Sequence, residues 1–456
     1  MSLPAVIEIV PLTSPVRAEI TVPGSKSITN RALILAALTD GRTTLRGALW
    51  SEDTQVMTDC LRALGFTVDV QPDPAESGNR TITVDGLGGR LPRAGTAAQP
   101  LELFVGNAGT AARFLAAMVC LGDGVYRLSG VPRMHERPQA ALFAALRELG
   151  YRVESERGDD KLPARIFGEI RNPKSEIRNC QVSVTESSQF ASALLLAGGV
   201  GGWQVEITGA NEDELPYVDM TRELVKVFPA KGGEFQIEPD ASSGSYFWAA
   251  DWILWVTGHN SEIGSITVKH WPSTRWQIDA DYPKHRNLVE LKGVLSRKLH
   301  LGDSIMTAIV KAPLNRPPQP AMFPEDGAPL LQFARPIEFK DLGRLRVQEC
   351  ERVMALRNEL QKCGAFVEEV GDSLIVHSNR VLHGTEIETY DDHRIAMCFS
   401  ILGLKVSGMK IRNPACVRKT FPNFFQKLAA SKPDGLDVEI RDASTGMRLQ
   451  LEQLVA

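Results

Sequence analysis

Six times along the chain, a short polar corner rich in Gly, Ser, Asn or Asp runs straight into a helix-length stretch that is apolar almost all round. Pro23-Gly24-Ser25-Lys26-Ser27 leads into Ala32 to Leu38, and Gly106-Asn107-Ala108-Gly109-Thr110 into Ala111 to Leu121. Ser187-Ser188-Gln189 precedes Phe190 to Ala197, and Asp240-Ala241-Ser242-Ser243 precedes Tyr246 to Trp255. Gly302-Asp303-Ser304 opens Ile305 to Val310, and Tyr390-Asp391-Asp392-His393-Arg394 opens Ile395 to Leu404. A surface helix carries an apolar stripe, whereas a helix apolar on every side belongs inside a core. The recurrence reads as a degenerate six-fold repeat of one αβ unit, three copies in each half of the chain. With 456 residues, the chain is long enough for more than one domain.

Between the corners lie amphipathic helices that end at glycine and pass into a short strand. Thr54 to Leu64 ends at Gly65, Ala140 to Leu149 at Gly150, and Arg352 to Cys363 at Gly364. A glycine just past the last periodic residue is a helix C-cap signal. Gln71 to Arg80 and Leu91 to Pro100 lack periodicity and read as surface insertions, and the proline-rich Asn315 to Pro329 as an extended loop. Residues 429–456 follow the last repeat as a tail whose strand-and-helix pattern suggests no role of its own.

The first corner carries chemistry. A strand, Ala18 to Val22, breaks at Pro23-Gly24, and a helix opens on Ser25 and Lys26. The free N–H groups at such a helix start, together with its dipole, favour an anion, and Lys26 and Arg31 add full charges. Neither the Walker A spacing nor Gly-x-Gly-x-x-Gly is present, so ATP and NAD are not implied. Net charge of -4 argues against general nucleic-acid binding, so a phosphate site here is a local basic cluster on a mildly acidic body. Seven cysteines are scattered without metal-binding spacing, which suggests reduced thiols and a cytoplasmic protein with no metal. Met1 to Val10 lacks signal-peptide character, and no apolar run is long enough to span a bilayer.

Other charged residues occupy similar corners. Arg133 follows Pro132, Glu349 and Arg352 stand three apart at what reads as the start of a long helix from Arg346, Arg394 opens a helix, and Lys419 precedes Thr420-Phe421-Pro422. Taken singly, each reads as a solvated or ion-paired side chain rather than a ligand contact, and it is their shared place at the corners of a repeated fold that points to a site. Glu349 with Arg352 is compatible with a plain helical salt bridge, and Asp303 with an N-cap.

The ordered set Pro-Gly-Ser-Lys-Ser-x-Thr-Asn-Arg, Gly-Asn-Ala-Gly-Thr-Ala-x-Arg, Pro-Arg-Met-x-Glu-Arg-Pro, Ser-Ser-Gln-Phe, Gly-Asp-Ser, Asp-His-Arg and Lys-Thr-Phe-Pro resembles the 5-enolpyruvylshikimate-3-phosphate (EPSP) synthase family from about residue 16 to about 428. The resemblance implies an α/β (α+β) fold. It is a two-domain inside-out α/β barrel of six βαβαββ repeats, three per domain, that closes on its ligands and excludes water. Residues 24–239 would form the shikimate 3-phosphate side, and 1–23 with 240–428 the second domain. The implied reaction joins phosphoenolpyruvate to the 5-hydroxyl of shikimate 3-phosphate and releases phosphate, with no metal and no organic cofactor. A cytoplasmic monomer acting on small molecules, with no nucleic-acid or membrane partner, is expected.

Carried over by motif, Lys26, Ser27, Arg31, Ser187, Ser188, Gln189, Asp303 and Gln348 would hold shikimate 3-phosphate. Lys26, Gly109, Arg133, Gln189, Arg352, Arg394 and Lys419 would surround phosphoenolpyruvate. Asp303 resembles the base for the 5-hydroxyl and Glu349 the acid for the methylene carbon, with Lys26 stabilising developing charge. Two phosphorylated carboxylates side by side require several cations, and arginine forks suit their oxygens.

Four positions depart from the family pattern. Gln348 replaces a usual Lys, and Arg344 stands where many members have Asn. Glu214 occupies a position usually held by a phosphate-binding Ser and is left out of the expected site, because a carboxylate would repel the 3-phosphate; neighbouring Tyr217 is a candidate either for the shikimate side or for the core. Phe114 replaces a common Pro below Gly109, whose small size is associated in this family with room for glyphosate, an inhibitor that competes for the phosphoenolpyruvate site. Two rivals remain. A UDP-N-acetylglucosamine enolpyruvyl transferase would need a reactive Cys in a mobile loop, whereas Cys120 lies in an apolar helix. A phosphate-sugar binding protein with weakened catalysis would not need Asp303, Glu349, Lys26 and Lys419 together.

Overall fold

The computed structural model describes residues 3–169, 177–209, 214–288, 293–315, 336–378 and 381–456. The chain divides into two compact units, one of Met1–Val22 with Asp240–Ala456 and the other of Pro23–Pro239. Apart from Asn315, the expected proline-rich loop lies outside the described residues.

One sheet pattern recurs four times: a parallel pair followed by two antiparallel strands. In the Pro23–Pro239 unit it is built from Leu101–Phe104, Gly124–Ser129, Ala164–Gly168 and Arg152–Ser155. It is built again from Gly233–Gln236, Asp40–Leu49, Asn79–Leu87 and Val68–Pro72. In the other unit one copy is Val294–Ser296, Ile337–Lys340, Ser373–Val376 and Val367–Val370. The other is Glu386–Ile387, Met409–Arg412, Val6–Ile9 and Ile440–Asp442. In three of the four sheets the crossover a parallel pair requires includes an apolar core helix: Gly109–Met118, Ile305–Lys311 or His393–Leu402.

The remaining two sheets are smaller among the described residues. They are parallel pairs, Arg178–Ser183 with Trp203–Thr208 and Ala18–Ile20 with Ile266–Val268. The first is short because the chain continues through the Leu215–Val227 helix to Gly233–Gln236, which pairs with Asp40–Leu49 instead. The tail is part of the fold: Ile440–Asp442 is the edge strand beside Val6–Ile9, with Val438 and Ile440 buried.

Every residue of the Lys26–Leu38 helix from Ile28 onward is buried, as is the whole of Gly109–Met118. Removing each large apolar side chain from water contributes about 1.5–3 kcal/mol before entropy is counted. The amphipathic helices end as their sequence suggests, at Gly65, Gly150 and Gly364, whose φ values of 93, 86 and 83° suit residues without a Cβ.

Gln71 to Arg80 is not an insertion. It is the turn and the strand ends of the Val68–Pro72 and Asn79–Leu87 hairpin. Buried Asn79 accepts a hydrogen bond from the Gly24 N–H at 2.8 Å, fastening the loop ahead of the first core helix. Gly24 is packed as closely on its other side. A Cβ there would lie 1.9 Å from the Gly47 carbonyl oxygen, within the strand Asp40–Leu49. Because that backbone is held by its neighbours, Gly24→Ala is expected to cost about 1–3 kcal/mol. A fall in the urea midpoint with an unchanged m-value checks this; a wild-type midpoint would show that the loop relaxes freely.

Candidate active site

In the Pro23–Pro239 unit the expected residues gather around the start of the first core helix. Ser25 and Ala108 precede the Lys26–Leu38 and Gly109–Met118 helices without capping them through a side chain, which leaves first-turn N–H groups to other acceptors. Lys26 pairs with the buried Asp53 at 3.2 Å and keeps its side chain 20% exposed. Asp53 stands in the first turn of the Glu52–Ala63 helix and was not among the expected residues.

Arg31 is buried, and its guanidinium is committed to the protein. Nε donates to Thr221 Oγ1 at 2.7 Å, Nη1 to the Ser27 carbonyl at 2.9 Å, and Nη2 to Ser192 Oγ at 3.1 Å and the Tyr217 carbonyl at 3.3 Å. The Phe114 ring lies 5.3 Å from its centre. Burial among mostly neutral partners pulls its pKa down to about 10, against the raising influence of Tyr217 and Glu214. What Arg31 retains for a ligand is chiefly its charge and its hold on Ser27.

Ser187 caps the Ser188–Gly201 helix by accepting from the Gln189 N–H at 3.2 Å. The Ser188 N–H donates to the Glu214 carboxylate at 2.6 Å, and Glu214 is buried. The residue left out of the expected set thus sits against the N-terminus of the helix that carries Ser188 and Gln189, where an anion is favoured.

Around Gly109 the structure adds two cations and turns one aside. A Cβ on Gly109 would lie 2.4 Å from Arg113 Nη1 and 2.6 Å from Arg137 Nη2. Arg113 is buried, donating to the Pro138 carbonyl at 2.8 Å and to Gln189 Oε1 at 3.3 Å, while Arg137 donates to the Asn107 carbonyl at 3.2 Å. Arg133 is exposed and paired with Glu136 three residues on. The missed arginines left a signal in the sequence. Arg113 is a charge inside an apolar helix, one turn from Gly109.

In the other unit the charged residues converge on Asp303. Its Oδ1 accepts from Arg297 Nη2 at 3.0 Å and lies 3.5 Å from Gln348 Nε2. Its Oδ2 is paired with Arg394 Nε at 3.2 Å and Arg352 Nη1 at 3.4 Å. The carboxylate faces guanidiniums, not the first N–H groups of Ile305–Lys311, so it is not an N-cap. Burial alone would push the Asp303 carboxyl up. The charges of Arg394, Arg297 and Arg352 outweigh it and hold the group well below the usual carboxylate range.

The corner carrying Asp303 is gripped by Asp279, whose Oδ1 accepts from the Gly302 N–H at 2.7 Å, the Ser304 N–H at 3.2 Å and the Ser304 hydroxyl at 2.6 Å. Gln348 Oε1 accepts from Arg352, so the amide bridges Arg352 and Asp303.

Glu349 and Arg352 do meet, at 2.8 Å, but not on one helical face. The helix expected from Arg346 starts at Arg352, after a 3-10 turn at Gly343–Val347 and an irregular passage, because Glu351 caps it by accepting from the Met354 N–H. Lys419 donates to the other oxygen of Glu349 at 2.9 Å. Arg352 is also held by Asp392, which accepts from Nε at 2.6 Å and caps the His393–Leu402 helix through the Arg394 N–H at 2.8 Å. Asp392 therefore fixes Arg352 and the backbone of Arg394 together. It lies in a motif quoted above, but its role follows only from contact.

All seven cysteines are free. Cys120 is buried, its thiol pushed up by burial, and it donates to the Ala116 carbonyl at 3.4 Å, which is an inert setting. Among the described residues no group of three or more His, Cys, Asp or Glu is placed to hold a metal ion, and no helix is long and apolar enough to cross a membrane.

Residues 10–428 match the family model described as EPSP synthase (3-phosphoshikimate 1-carboxyvinyltransferase). A 3-phosphoshikimate 1-carboxyvinyltransferase of Opitutus terrae is 36% identical, with 96% of this chain and all of that one aligned. One of Rhizobium leguminosarum bv. trifolii is 35% identical over 94% of this chain and 98% of its own. Among solved structures, EPSP synthase from Acinetobacter baumannii superposes with a TM-score of 0.65 at 20% identity, covering 95% of this chain and 99% of that one. The enolpyruvyl transferase NikO from Streptomyces tendae does so with 0.64 at 14%, covering 99% and 100%. At those identities the two structures speak for the fold. Motifs, fold and near full-length relatives agree, and the chain belongs to the EPSP synthase (3-phosphoshikimate 1-carboxyvinyltransferase) family.

Proposed function

We propose that this protein transfers the carboxyvinyl group of phosphoenolpyruvate to the 5-hydroxyl of shikimate 3-phosphate, acting as a cytoplasmic monomer. The observation that carries the reading is the pairing of two carboxylates, Asp303 and Glu349, with a set of cations beyond what a structural salt bridge uses: Arg297, Arg352, Arg394 and Lys419. Binding an anion needs the cations alone. Holding a proton acceptor and a second carboxylate among them suits acid–base chemistry on anionic substrates.

In this reading residues 24–239 are the shikimate 3-phosphate side, with Lys26, Ser27, Arg31, Ser187, Ser188 and Gln189 as its groups, and 1–23 with 240–428 supply Asp303 and Gln348. Phosphoenolpyruvate is held by Lys26, Gly109, Arg133, Gln189, Arg352, Arg394 and Lys419. Arg133 must first leave Glu136, an exposed pairing worth about 1 kcal/mol or less. Arg113 and Arg137, which flank Gly109, join that set. The 5-hydroxyl proton passes to Asp303 as its oxygen bonds to C2 of phosphoenolpyruvate, while the methylene carbon takes a proton from Glu349. Loss of a proton from the new methyl group then expels phosphate. Lys26 stabilises the charge that develops. Only proton transfers and carbon–oxygen bonds are involved, so the reaction calls on no cofactor.

Purified protein is expected to release phosphate only when both substrates are present, with Lys26→Ala and Asp303→Ala each slower by about 100-fold or more. Release with phosphoenolpyruvate alone would overturn the reading. Binding of shikimate 3-phosphate without any release would favour the weakened binding protein, for which the carboxylate on Ser188 is the supporting observation.

Glu214→Ser is expected to lower KM for shikimate 3-phosphate about tenfold, because it removes a negative charge from the place the phosphate would take. Steady-state kinetics check it, and an unchanged or higher KM would show that Glu214 positions the helix start without opposing the ligand.

Gly109→Ala pushes a methyl group against Arg113 and Arg137, so KM for phosphoenolpyruvate is expected to rise about tenfold. Inhibition by glyphosate is expected to weaken in parallel if it occupies the same cations. Unchanged values for both ligands would remove Gly109 from the site.

A further inference from the structure

Two aspartates stand at the start of the Ile305–Lys311 helix, and they face different ways. Asp303 belongs to the corner, yet its carboxylate is turned to Arg297, Arg352 and Arg394. Ser304 precedes the helix without capping it through its side chain. An Asp or Ser in such a place ordinarily bonds to nearby backbone N–H groups. Here the acceptor comes from another segment. Asp279 Oδ1 takes the Gly302 N–H at 2.7 Å, the Ser304 N–H at 3.2 Å and the Ser304 hydroxyl at 2.6 Å. Those two N–H groups flank Asp303, so one carboxylate oxygen fixes the backbone on both sides of the proposed base.

Asp279 is itself buried and held. Its Oδ2 accepts from the Ser242 hydroxyl, in the first turn of the largely buried Ala241–Val256 helix. Close by in the chain, Gln277 Oε1 accepts from the Ala241 N–H at 3.0 Å, and the Ala280 carbonyl accepts from Trp271 Nε1 at 2.8 Å. The fit against the corner is close. A Cβ on Gly302 would lie 2.8 Å from Ile278 Cγ2 and 3.1 Å from Asp279 Oδ1.

Resting on the function proposed above, we infer that Asp279 is a positioning residue for Asp303. It caps the corner in place of Asp303 and so leaves that carboxylate to act as the base. Without Asp279, the N–H groups of the buried Gly302 and Ser304 need another acceptor. Asp303, between them in sequence, is the carboxylate at hand, and turning to them draws it away from the guanidiniums.

Asp279 also carries charge near this cluster. Burial opposes the Arg394 guanidinium, and Asp303, Tyr246, Asp240 and Asp279, in falling order, raise its pKa. Position and charge give opposite expectations for two conservative variants. Asp279→Asn loses the charge and keeps an acceptor oxygen for the corner. Asp279→Glu keeps the charge and both oxygens, and its longer side chain displaces the corner.

The test is steady-state kinetics of the full chain, with crystal structures of the wild type and of Asp279→Ala. Asp279→Ala is expected to lower kcat about 100-fold, the effect of misplacing a base by about 1 Å. KM for phosphoenolpyruvate is expected to stay within about 3-fold. Asp279→Glu is expected to lower kcat about 10-fold, and Asp279→Asn to stay within about 5-fold of wild type. Because Asp279 acts through Asp303, Asp279→Ala is expected to cost less than about 3-fold in the Asp303→Ala background. In the crystal structure of Asp279→Ala, the Asp303 carboxylate is expected to leave Arg297 and turn to the corner.

Wild-type kcat in Asp279→Ala would overturn the positioning role. So would an undiminished further loss in the Asp303→Ala background. Asp279→Asn slower than Asp279→Glu would make charge the role instead. If Asp279→Ala does not fold, the order of the Asn and Glu variants and the same cycle with Asp279→Glu decide. If the wild type does not join the two substrates, the proposed reaction falls and the crystal structures decide the positioning. An Asp303 carboxylate unmoved in Asp279→Ala would then overturn it, and one turned to the corner would support it.

Discussion

The structure depends on helices that are apolar on every face. A helix buried all round satisfies its own backbone only from its second turn onward, so its first N–H groups must find partners at the corner that precedes it. Three corners supply their own caps, from Ser187, Asp240 and Asp392. The corners before Lys26–Leu38 and Gly109–Met118 have no side-chain cap. The polar residues of the chain are thus concentrated at helix starts, and there the motif residues stand.

Charge is handled differently in the two units. Arg31 is buried among hydroxyls and carbonyls, and burial lowers its pKa. Arg352 is equally buried, yet its pKa is raised: burial opposes the charge, but Asp392, Glu349 and Asp303 together outweigh it. The same side chain becomes a strut in one setting and a multiply paired counter-ion in the other. Breaking a buried pair by removing one partner costs about 3–5 kcal/mol. In the second setting the cations stay inside because carboxylates hold them.

Much of the fold was legible because it rests on short-range patterns. The six polar corners and apolar runs are helices near their expected places, and the glycine-ended helices stop at Gly65, Gly150 and Gly364. Which strands complete each sheet was not legible, since a pairing such as that of Gly233–Gln236 with Asp40–Leu49 leaves no local mark. Gln71 to Arg80 misled for a similar reason. A hairpin end that buries one asparagine against Gly24 is, in composition, indistinguishable from a loop.

The candidate site divides along the same line. Residue type and position marked Lys26, Asp303, Glu349, Arg352, Arg394 and Lys419 as charges at corners of an otherwise apolar pattern, and only the family motifs implied roles for them. Which charge meets which was decided only by folding. Asp53, Asp279, Asp392, Arg113 and Arg297 act through partners tens to hundreds of residues away. Arg133 and Arg137 differ in exposure, although both belong to one motif. Sequence determines the inventory of ions and the helices that carry them. Electrostatic pairing falls off over a few ångströms of space and is blind to separation along the chain, so the tertiary structure alone decides the pairs.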